Sequence, residues 1–242
     1  MGSGTETIRV GILLCDDLHE ELVTDWTSYF SLFENLLNDD RQDIDAIGYR
    51  VHAGEWPETE SSADAWLVTG SRASVHESPD WVPPLKAFVR AIDERKQPLI
   101  GVCFGHQLIQ SALGGETRRS SLGWHLGAYP VECEQAFAGL QAGDSLSLLA
   151  VHQDQVVAPA PGFERLATSV QCPWYAMRRG QTFTIQGHPE FDQAFFAAIM
   201  ERVRPRAGDE RVDMALEQLP PSDDTPAVRA YMRDWVRQTD SP

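Results

Sequence analysis

The segment Gly101–Gln110, GVCFGHQLIQ, places one cysteine between two glycines directly after a short apolar run. The run Gln97–Val102 has the length and composition of a buried parallel strand. Beyond the cysteine, His106–Leu113 repeats apolar residues at helical spacing and stops at Gly114-Gly115, a pair that ends helices. The segment therefore predicts a sharp strand-to-helix turn with a thiol at its centre, an arrangement found in α/β folds.

Cys103 is the candidate nucleophile at this turn. The positive end of the helix dipole favours a thiolate there, and the thiolate is the form of cysteine that attacks a carbonyl carbon. A side chain on Gly101 or Gly105 would crowd the backbone around the turn. On this segment alone, a buried free cysteine beside a glycine turn is an equally good interpretation.

A second segment supplies candidate partners for the thiol. Gln181–Phe191, QTFTIQGHPEF, alternates as a strand and then ends in a His-Pro-Glu sequence. Residues two apart on an extended chain project to the same side, so His188 and Glu190 are expected to share a face while Pro189 points away. A thiol, a histidine base and a carboxylate that orients the base form the usual arrangement of cysteine catalysis.

Taken together, GVCFGHQ and QGHPEF resemble the class I, triad-type glutamine amidotransferase family. The resemblance extends from about Ile8 to about Phe196, and it fits best the stand-alone members similar to the amidotransferase half of GMP synthase and to γ-glutamyl peptidases. It implies attack of Cys103 on the γ-carboxamide of glutamine, a γ-glutamyl thioester, and hydrolysis of that thioester by water. In the same comparison His188 would be the general base and acid, and Glu190 would orient it.

The resemblance also implies an oxyanion hole. The run Asp64–Gly70 leads into a loop at the place where the family carries Ser-Gly-Gly-Pro. By position, the N–H groups of Ser71 and Phe104 would be the two donors, with Gly70 permitting the turn. This chain departs from the family pattern, because Ser71 and Arg72 stand where the family has its second glycine and its proline.

Three further residues match family positions that bind the amino-acid end of glutamine. Gln107 lies on the first turn of the predicted helix and can both donate and accept hydrogen bonds. His152 and Asp154 lie in Ala150–Val156, AVHQDQV, where a local hydrogen bond at a strand end is an equally good interpretation.

Before the thiol turn, apolar strand-like runs alternate with amphipathic helical repeats. This order favours a parallel sheet covered by helices on both faces. The predicted elements are strands at Ile8–Cys15, Asp45–Val51 and Ala65–Thr69, and helices at Thr24–Asn38 and Pro84–Lys96.

After Gly115 the chain changes to strand-like runs, which predicts an antiparallel extension of the sheet. These runs are Ala128–Glu134, Leu146–Val157, Phe163–Val170 and a hairpin around Arg178-Arg179-Gly180. Near the end, Val228, Tyr231, Met232 and Trp235 recur at helical spacing, which predicts a helix packed on the domain.

We therefore expect an α/β fold with a mixed, mostly parallel central sheet and helices on both faces. The resemblance implies the flavodoxin-like fold of class I glutamine amidotransferases. We also expect a single domain over residues 1–242, with a core at about 7–203 and a helical tail at about 204–242.

The composition excludes several other classes of function. A formal net charge of −16, from 36 acidic and 20 basic residues, argues against nucleic-acid binding. The four cysteines lack C-x-x-C spacing, and no segment has the pattern of a membrane span or signal peptide, so we expect a cytoplasmic location without membrane attachment. No metal-binding histidine spacing or phosphate-binding glycine loop occurs, so we expect neither metal nor cofactor.

Three functions remain compatible with this sequence. The first is hydrolysis of glutamine, with the ammonia passed to a separate synthetase subunit. The second is the same chemistry on γ-glutamyl peptides or amines, without such a partner. The third is a catalytically silent binding or regulatory protein, against which the presence of Cys103, His188 and Glu190 together argues.

Overall fold

The computed structural model describes residues 7–77, 79–217 and 223–238. Its central sheet has nine strands in the order β2-β1-β3-β4-β13-β12-β11-β7-β8, and two short two-stranded ladders, β10-β5 and β6-β9, lie outside it. The strands are β1 Ile8–Leu13, β2 Ile44–Tyr49, β3 Ala65–Val68, β4 Leu99–Val102, β5 Glu116–Arg119, β6 His125–Gly127, β7 Val131–Cys133, β8 Ser145–Leu146, β9 Ala150–His152, β10 Asp154–Ala158, β11 Glu164–Thr168, β12 Ala176–Arg179 and β13 Thr182–Ile185. The α-helices are α1 Val23–Trp26, α2 Tyr29–Leu37, α3 Val82–Glu94, α4 Phe104–Ala112, α5 Gln193–Ala207, α6 Asp209–Glu217 and α7 Thr225–Val236.

The predicted mixed α/β class is confirmed. Strands β2, β1, β3, β4 and β13 are parallel neighbours, and β12, β11, β7 and β8 continue the sheet in antiparallel fashion. The carboxyl ends of parallel strands meet at one edge of a sheet, where open α/β proteins place their ligands. The β4 and β13 ends therefore bring their following loops to the same edge.

Helices cover both faces of the sheet, as expected. Neighbouring residues of β1 show this, because Ile12 packs in the cluster that includes α2, α5 and α7, whereas Leu13 packs in the cluster that includes α3 and α4. Alternate residues of a strand project to opposite faces, so a buried parallel strand must be apolar along its whole length. The strand β4 is accordingly buried at every position.

The predicted helix at residues 24–38 is instead two helices, α1 and α2. Thr27 has a φ of 62°, which a continuous right-handed helix does not allow. Ser28 then caps α2, since its side chain accepts a hydrogen bond from the Ser31 N–H at 3.0 Å. The apolar spacing runs through the break and conceals it, and the break makes Tyr29 the first residue of α2.

The predicted strand at residues 146–157 is also divided, into β8, β9 and β10. The three pair with different partners: β8 with β7, β9 with β6, and β10 with β5. The short strands β5 and β6 were not predicted, because neither has a pronounced alternating pattern. Of the strand predicted at residues 128–134, only Val131–Cys133 forms, as β7.

Helical structure begins earlier near the C-terminus than the sequence predicts. Asp192 caps α5 by accepting a hydrogen bond from the Phe195 N–H at 2.7 Å, so the expected boundary at residue 204 falls inside this helix. In the predicted apolar stripe of α7, Val228, Met232 and Trp235 are buried and Tyr231 is partly buried against the core. Trp235 Nε1 donates to the carbonyl of Gln181 at 3.0 Å. Residues 218–222 and 239–242 of the expected tail lie outside the described residues. Among the described helices, none is both long and apolar enough to cross a membrane.

Candidate active site

Cys103 lies at the turn between β4 and α4, with a φ of 51° and a ψ of −103°. Residues other than glycine seldom adopt this backbone conformation, which is a feature of a nucleophile elbow. The two flanking glycines are sterically required. A Cβ on Gly105 would lie 2.2 Å from the carbonyl oxygen of Val68, and one on Gly101 would lie 2.6 Å from Ile109 Cδ1.

The register between β4 and β13 brings the second predicted segment to the thiol. Val102 pairs with Ile185, and the Cys103 N–H donates to the Ile185 carbonyl at 2.9 Å. The next residue of β13's extension, Gln186, donates from Nε2 to Cys103 Sγ at 3.5 Å. A Cβ built on Gly70 would lie 3.8 Å from Cys103 Cβ and 3.3 Å from His188 Cε1, so these two side chains are neighbours.

His188 and Glu190 form a buried pair. His188 Nδ1 donates to Glu190 Oε1 at 2.7 Å, and the ring of Phe191 stacks on the imidazole with centroids 4.1 Å apart and planes 10° apart. The hydrogen bond and the stacked ring together fix the orientation of the imidazole. Nε2 lies on the side of the imidazole away from Glu190. Within the described part of the chain Nε2 has no hydrogen-bond partner, so it is free to accept the proton of a thiol or a water.

Electrostatics favour a proton on His188. Burial alone would lower the pKa of His188, but the neighbouring Glu190 carboxylate and the sulfur of Cys103 outweigh that effect and raise the pKa above its usual range. A histidine with a raised pKa is a stronger base, so it takes the proton of a neighbouring thiol more readily.

The two predicted oxyanion donors line the same cavity as Cys103. The N–H groups of Ser71 and Phe104 have no hydrogen-bond partner among the described residues. Ser71 Oγ donates to the Cys15 carbonyl at 2.8 Å and accepts from the Ala73 N–H at 3.0 Å. These bonds hold the loop at the position where the family pattern has its second glycine, and they leave the Ser71 backbone available.

Gln107, His152 and Asp154 also line the cavity. Gln107 Nε2 donates to the Asp154 carbonyl at 2.7 Å and to Gln186 Oε1 at 3.2 Å, so this amide already has two internal partners. The Asp154 carboxylate accepts from Ser74 Oγ and lies 3.4 Å from Arg119 Nε. The carboxylate and the Arg119 guanidinium therefore form an ion pair in the cavity wall.

His152 has internal partners on both sides of its ring. Nδ1 lies 3.1 Å from the Asp154 carbonyl, and Nε2 lies 2.8 Å from the hydroxyl of Tyr129. Burial and the nearby His125 lower its pKa well below the usual value, so the ring is neutral. His152 therefore shapes the cavity wall by holding the Asp154 backbone and Tyr129 in place.

The sequence did not single out Tyr29, Gln186 or Phe191, which the structure places at the site. Tyr29 lines the cavity, and its hydroxyl would lie 2.8 Å from a Cβ on Gly70. Burial and the negative charges of Glu190 and Asp16 raise its pKa well above the usual value, so the phenol stays protonated and can donate. Ser28, a residue type favoured at helix N-caps, was the sequence signal that could have located Tyr29, whereas Gln186 and Phe191 only flank the His-Pro-Glu sequence.

The cavity has a volume of about 430 Å³ and reaches from Cys103 to one face of α5. Among the described residues, no cluster of three or more histidine, cysteine, aspartate or glutamate side chains has the arrangement of a metal site.

The chain is an α/β protein with a mixed sheet. At the carboxyl edge of the sheet, a thiol elbow lies beside a buried histidine–carboxylate pair, and these features define its class. Within that class, the family model described as glutamine amidotransferase class-I matches residues 40–200, and the chain belongs to this family.

Individual relatives share less than a third of their aligned residues with this chain. The chain is 28% identical over 184 residues to γ-glutamyl peptidase 5 of Arabidopsis thaliana, an alignment that covers 72% of each protein. It is 31% identical over 183 residues to the glutamine-hydrolysing GMP synthase of Thermomicrobium roseum, covering 62% of this chain and 32% of that protein. The crystal structure of a glutamine amidotransferase from Thermotoga maritima superposes with a TM-score of 0.73 at 18% identity, covering 96% of this chain and 100% of the other. This last similarity confirms the expected class I amidotransferase fold.

Proposed function

We propose that this protein hydrolyses the γ-amide bond of a γ-glutamyl compound, with Cys103 as the nucleophile. The observation that carries the proposal is the position of the Cys103 thiol beside the buried His188–Glu190 pair. Family membership supports it, because the relatives include proteins named as γ-glutamyl peptidases and as a glutamine-hydrolysing synthase.

In the first half of the reaction, His188 Nε2 takes the proton of the Cys103 thiol as the sulfur attacks the γ-carbonyl carbon. The carbonyl oxygen becomes an oxyanion, which accepts hydrogen bonds from the N–H groups of Ser71 and Phe104. The imidazolium then gives its proton to the leaving nitrogen, the C–N bond breaks, and a γ-glutamyl thioester remains on Cys103. Glu190 holds the imidazole in the tautomer that both transfers require.

In the second half, water enters and His188 removes one of its protons while the oxygen attacks the thioester carbon. The C–S bond then breaks, glutamate leaves, and the sulfur recovers the proton from the imidazolium. Gln107, Asp154 and the wall held by His152 would bind the amino-acid end of the substrate. The Tyr29 hydroxyl, which lies beside Gly70 and His188, would donate a further hydrogen bond to the reacting amide.

Free glutamine and larger γ-glutamyl compounds both fit this chemistry. The cavity of about 430 Å³ favours the larger compounds, since ammonia as a leaving group occupies very little space. The alternative is glutamine hydrolysis that supplies a separate synthetase subunit, which the similarity to GMP synthases supports. We also propose a cytoplasmic location, which the four free cysteines support because a reducing compartment keeps thiols unpaired.

The test is release of glutamate from glutamine and from γ-glutamyl dipeptides. We expect Cys103→Ala to abolish release from every substrate, while Cys133→Ala, which removes a buried thiol in β7, leaves it near the wild-type rate. Trapping with acid during turnover should recover a γ-glutamyl thioester on the wild-type protein. Glutamate release by Cys103→Ala at a rate near wild type would refute the proposal.

A further inference from the structure

One wall of the cavity is continuous from the proposed base to the far end of α5. It starts at His188, whose imidazole stacks on Phe191, and Phe191 contacts Phe195 edge-on with ring centroids 4.8 Å apart. Along α5, Ile199 and Val203 follow Phe195 at intervals of one helical turn and line the same cavity. These three side chains form an apolar stripe along the wall, and Arg202 beside them pairs with Glu21.

The wall is much longer than free glutamine requires. Arg206 is the last α5 residue that lines the cavity, and the twelve residues from Phe195 to Arg206 span about 16 Å of helix axis. An arginine on a helix leans back toward the N-terminus, so its guanidinium lies roughly one turn before its own Cα. About 10 Å of apolar wall therefore separates Phe195 from that guanidinium, a span of about three residues of extended chain.

The charge at the end of the wall is carried by Arg206. Arg206 lies over the ring of Trp124, with its guanidinium carbon 5.3 Å from the ring centroid, and forms no ion pair within the described part of the chain. The other cavity arginines all have carboxylate partners, since Arg72 pairs with Asp16, Arg119 with Asp154 and Glu77, and Arg202 with Glu21. In a chain with a net charge of −16, an arginine without a carboxylate partner at the cavity mouth is a site for an external anion.

We propose that this wall is a leaving-group subsite for γ-glutamyl peptides, in which two or three apolar residues lie along Phe195, Ile199 and Val203 and the C-terminal carboxylate pairs with Arg206. The inference rests on the proposed function and adds the substrate class to it. Chemistry sets the direction of the peptide. His188 protonates the leaving nitrogen at the start of the wall, so the rest of the leaving group extends away from it toward Arg206.

The experiment compares γ-Glu-Leu-Leu with its C-terminal amide, γ-Glu-Leu-Leu-NH2, by initial rates of glutamate release. Wild-type protein should prefer the acid to the amide by roughly fivefold in KM, the size expected for a partly exposed ion pair. In Arg206→Gln this preference should fall to about one. Arg211→Gln is the matched control, because Arg211 also lacks an ion pair among the described residues but lines a different cavity.

The possible failures are distinguishable. A preference that persists in Arg206→Gln overturns the subsite, and so does cleavage of glutamine with no cleavage of either peptide, while both results leave the proposed function intact. If neither glutamine nor any peptide is cleaved, the proposed function and the subsite both fail. Thermal unfolding of each variant checks that the substitution leaves the fold unchanged.

Discussion

His188 Nδ1 and Glu190 Oε1 lie 2.7 Å apart, and the two side chains are buried on either side of Pro189 in the chain. Replacing the carboxylate by an amide in Glu190→Gln removes the charge that holds the imidazole. We expect kcat for glutamate release to fall about 100-fold or more, yet less than in His188→Ala, because an orienting residue costs less than the base itself. A His188→Ala variant with wild-type activity would contradict the role of this pair.

Cys103 should be the only cysteine that reacts with a glutamine-derived electrophile near pH 7.5. Burial raises the pKa of Cys133 to about 11 and that of Cys172 to about 12, and it raises the pKa of Cys15 further still. Thiols with such values hold their protons at this pH and are inert. Peptide mapping by mass spectrometry should find one label, on Cys103, and none in Cys103→Ala. A label on one of the other three cysteines would count against the assignment.

Tyr29→Phe removes a single hydroxyl from the site. Because the phenol is a protonated donor beside Gly70 and His188, we expect kcat/KM to fall about tenfold, as for the loss of one hydrogen bond to the reacting group. The matched control is Tyr49→Phe, since Tyr49 packs on Trp66 in β3, outside the cavity. Equal rates in the two variants would show that the Tyr29 hydroxyl takes no part in the reaction.

Acid should destabilise the fold through its buried neutral histidines. Burial lowers the pKa of His106 to about 3, whereas a histidine in an unfolded chain titrates near 6.5. Between these values the unfolded chain binds more protons than the native one, so the free energy of unfolding falls as the pH falls. At pH 5 this amounts to about 2 kcal/mol for His106.

Denaturant unfolding at pH 7.5 and at pH 5 measures this effect. In His106→Gln, which has no titrating group at this position, the difference in unfolding free energy between the two pH values should shrink by about the same 2 kcal/mol. The comparison uses the change with pH, so a general loss of stability in the variant does not affect it. An unchanged difference would show that His106 is not the group responsible.

Local sequence was sufficient for the parts of the fold that have strong local signals. The apolar runs of β1, β3 and β4, the glycines around Cys103 and the spacing in α3 all lie in the structure where they were predicted. The thiol elbow could be located because glycine has no substitute at Gly101 and Gly105. The proximity of Cys103 and His188 required only that two parallel strands end at the same edge of a sheet.

The remaining elements depend on contacts between distant segments. The division of residues 146–157 among three partner strands follows from where β5, β6 and β7 lie, which the periodicity of that segment does not record. Tyr29 reaches the site because a residue with positive φ breaks the helix ahead of it, and the apolar spacing gives no sign of the break. The wall of α5 was missed because its apolar residues are interrupted by arginines.

The position of α7 has a consequence for shortened forms of this protein. Phe183 in β13 packs against Tyr231 and Trp235, so the strand that leads to His188 has the C-terminal helix as its cover on one face. A proteolytic fragment that ends before Thr225 would retain all residues of the proposed site. It would also expose Phe183 and the covered face of β13 to water. We expect such a fragment to aggregate. Its inactivity would then result from misfolding and not from the loss of catalytic residues.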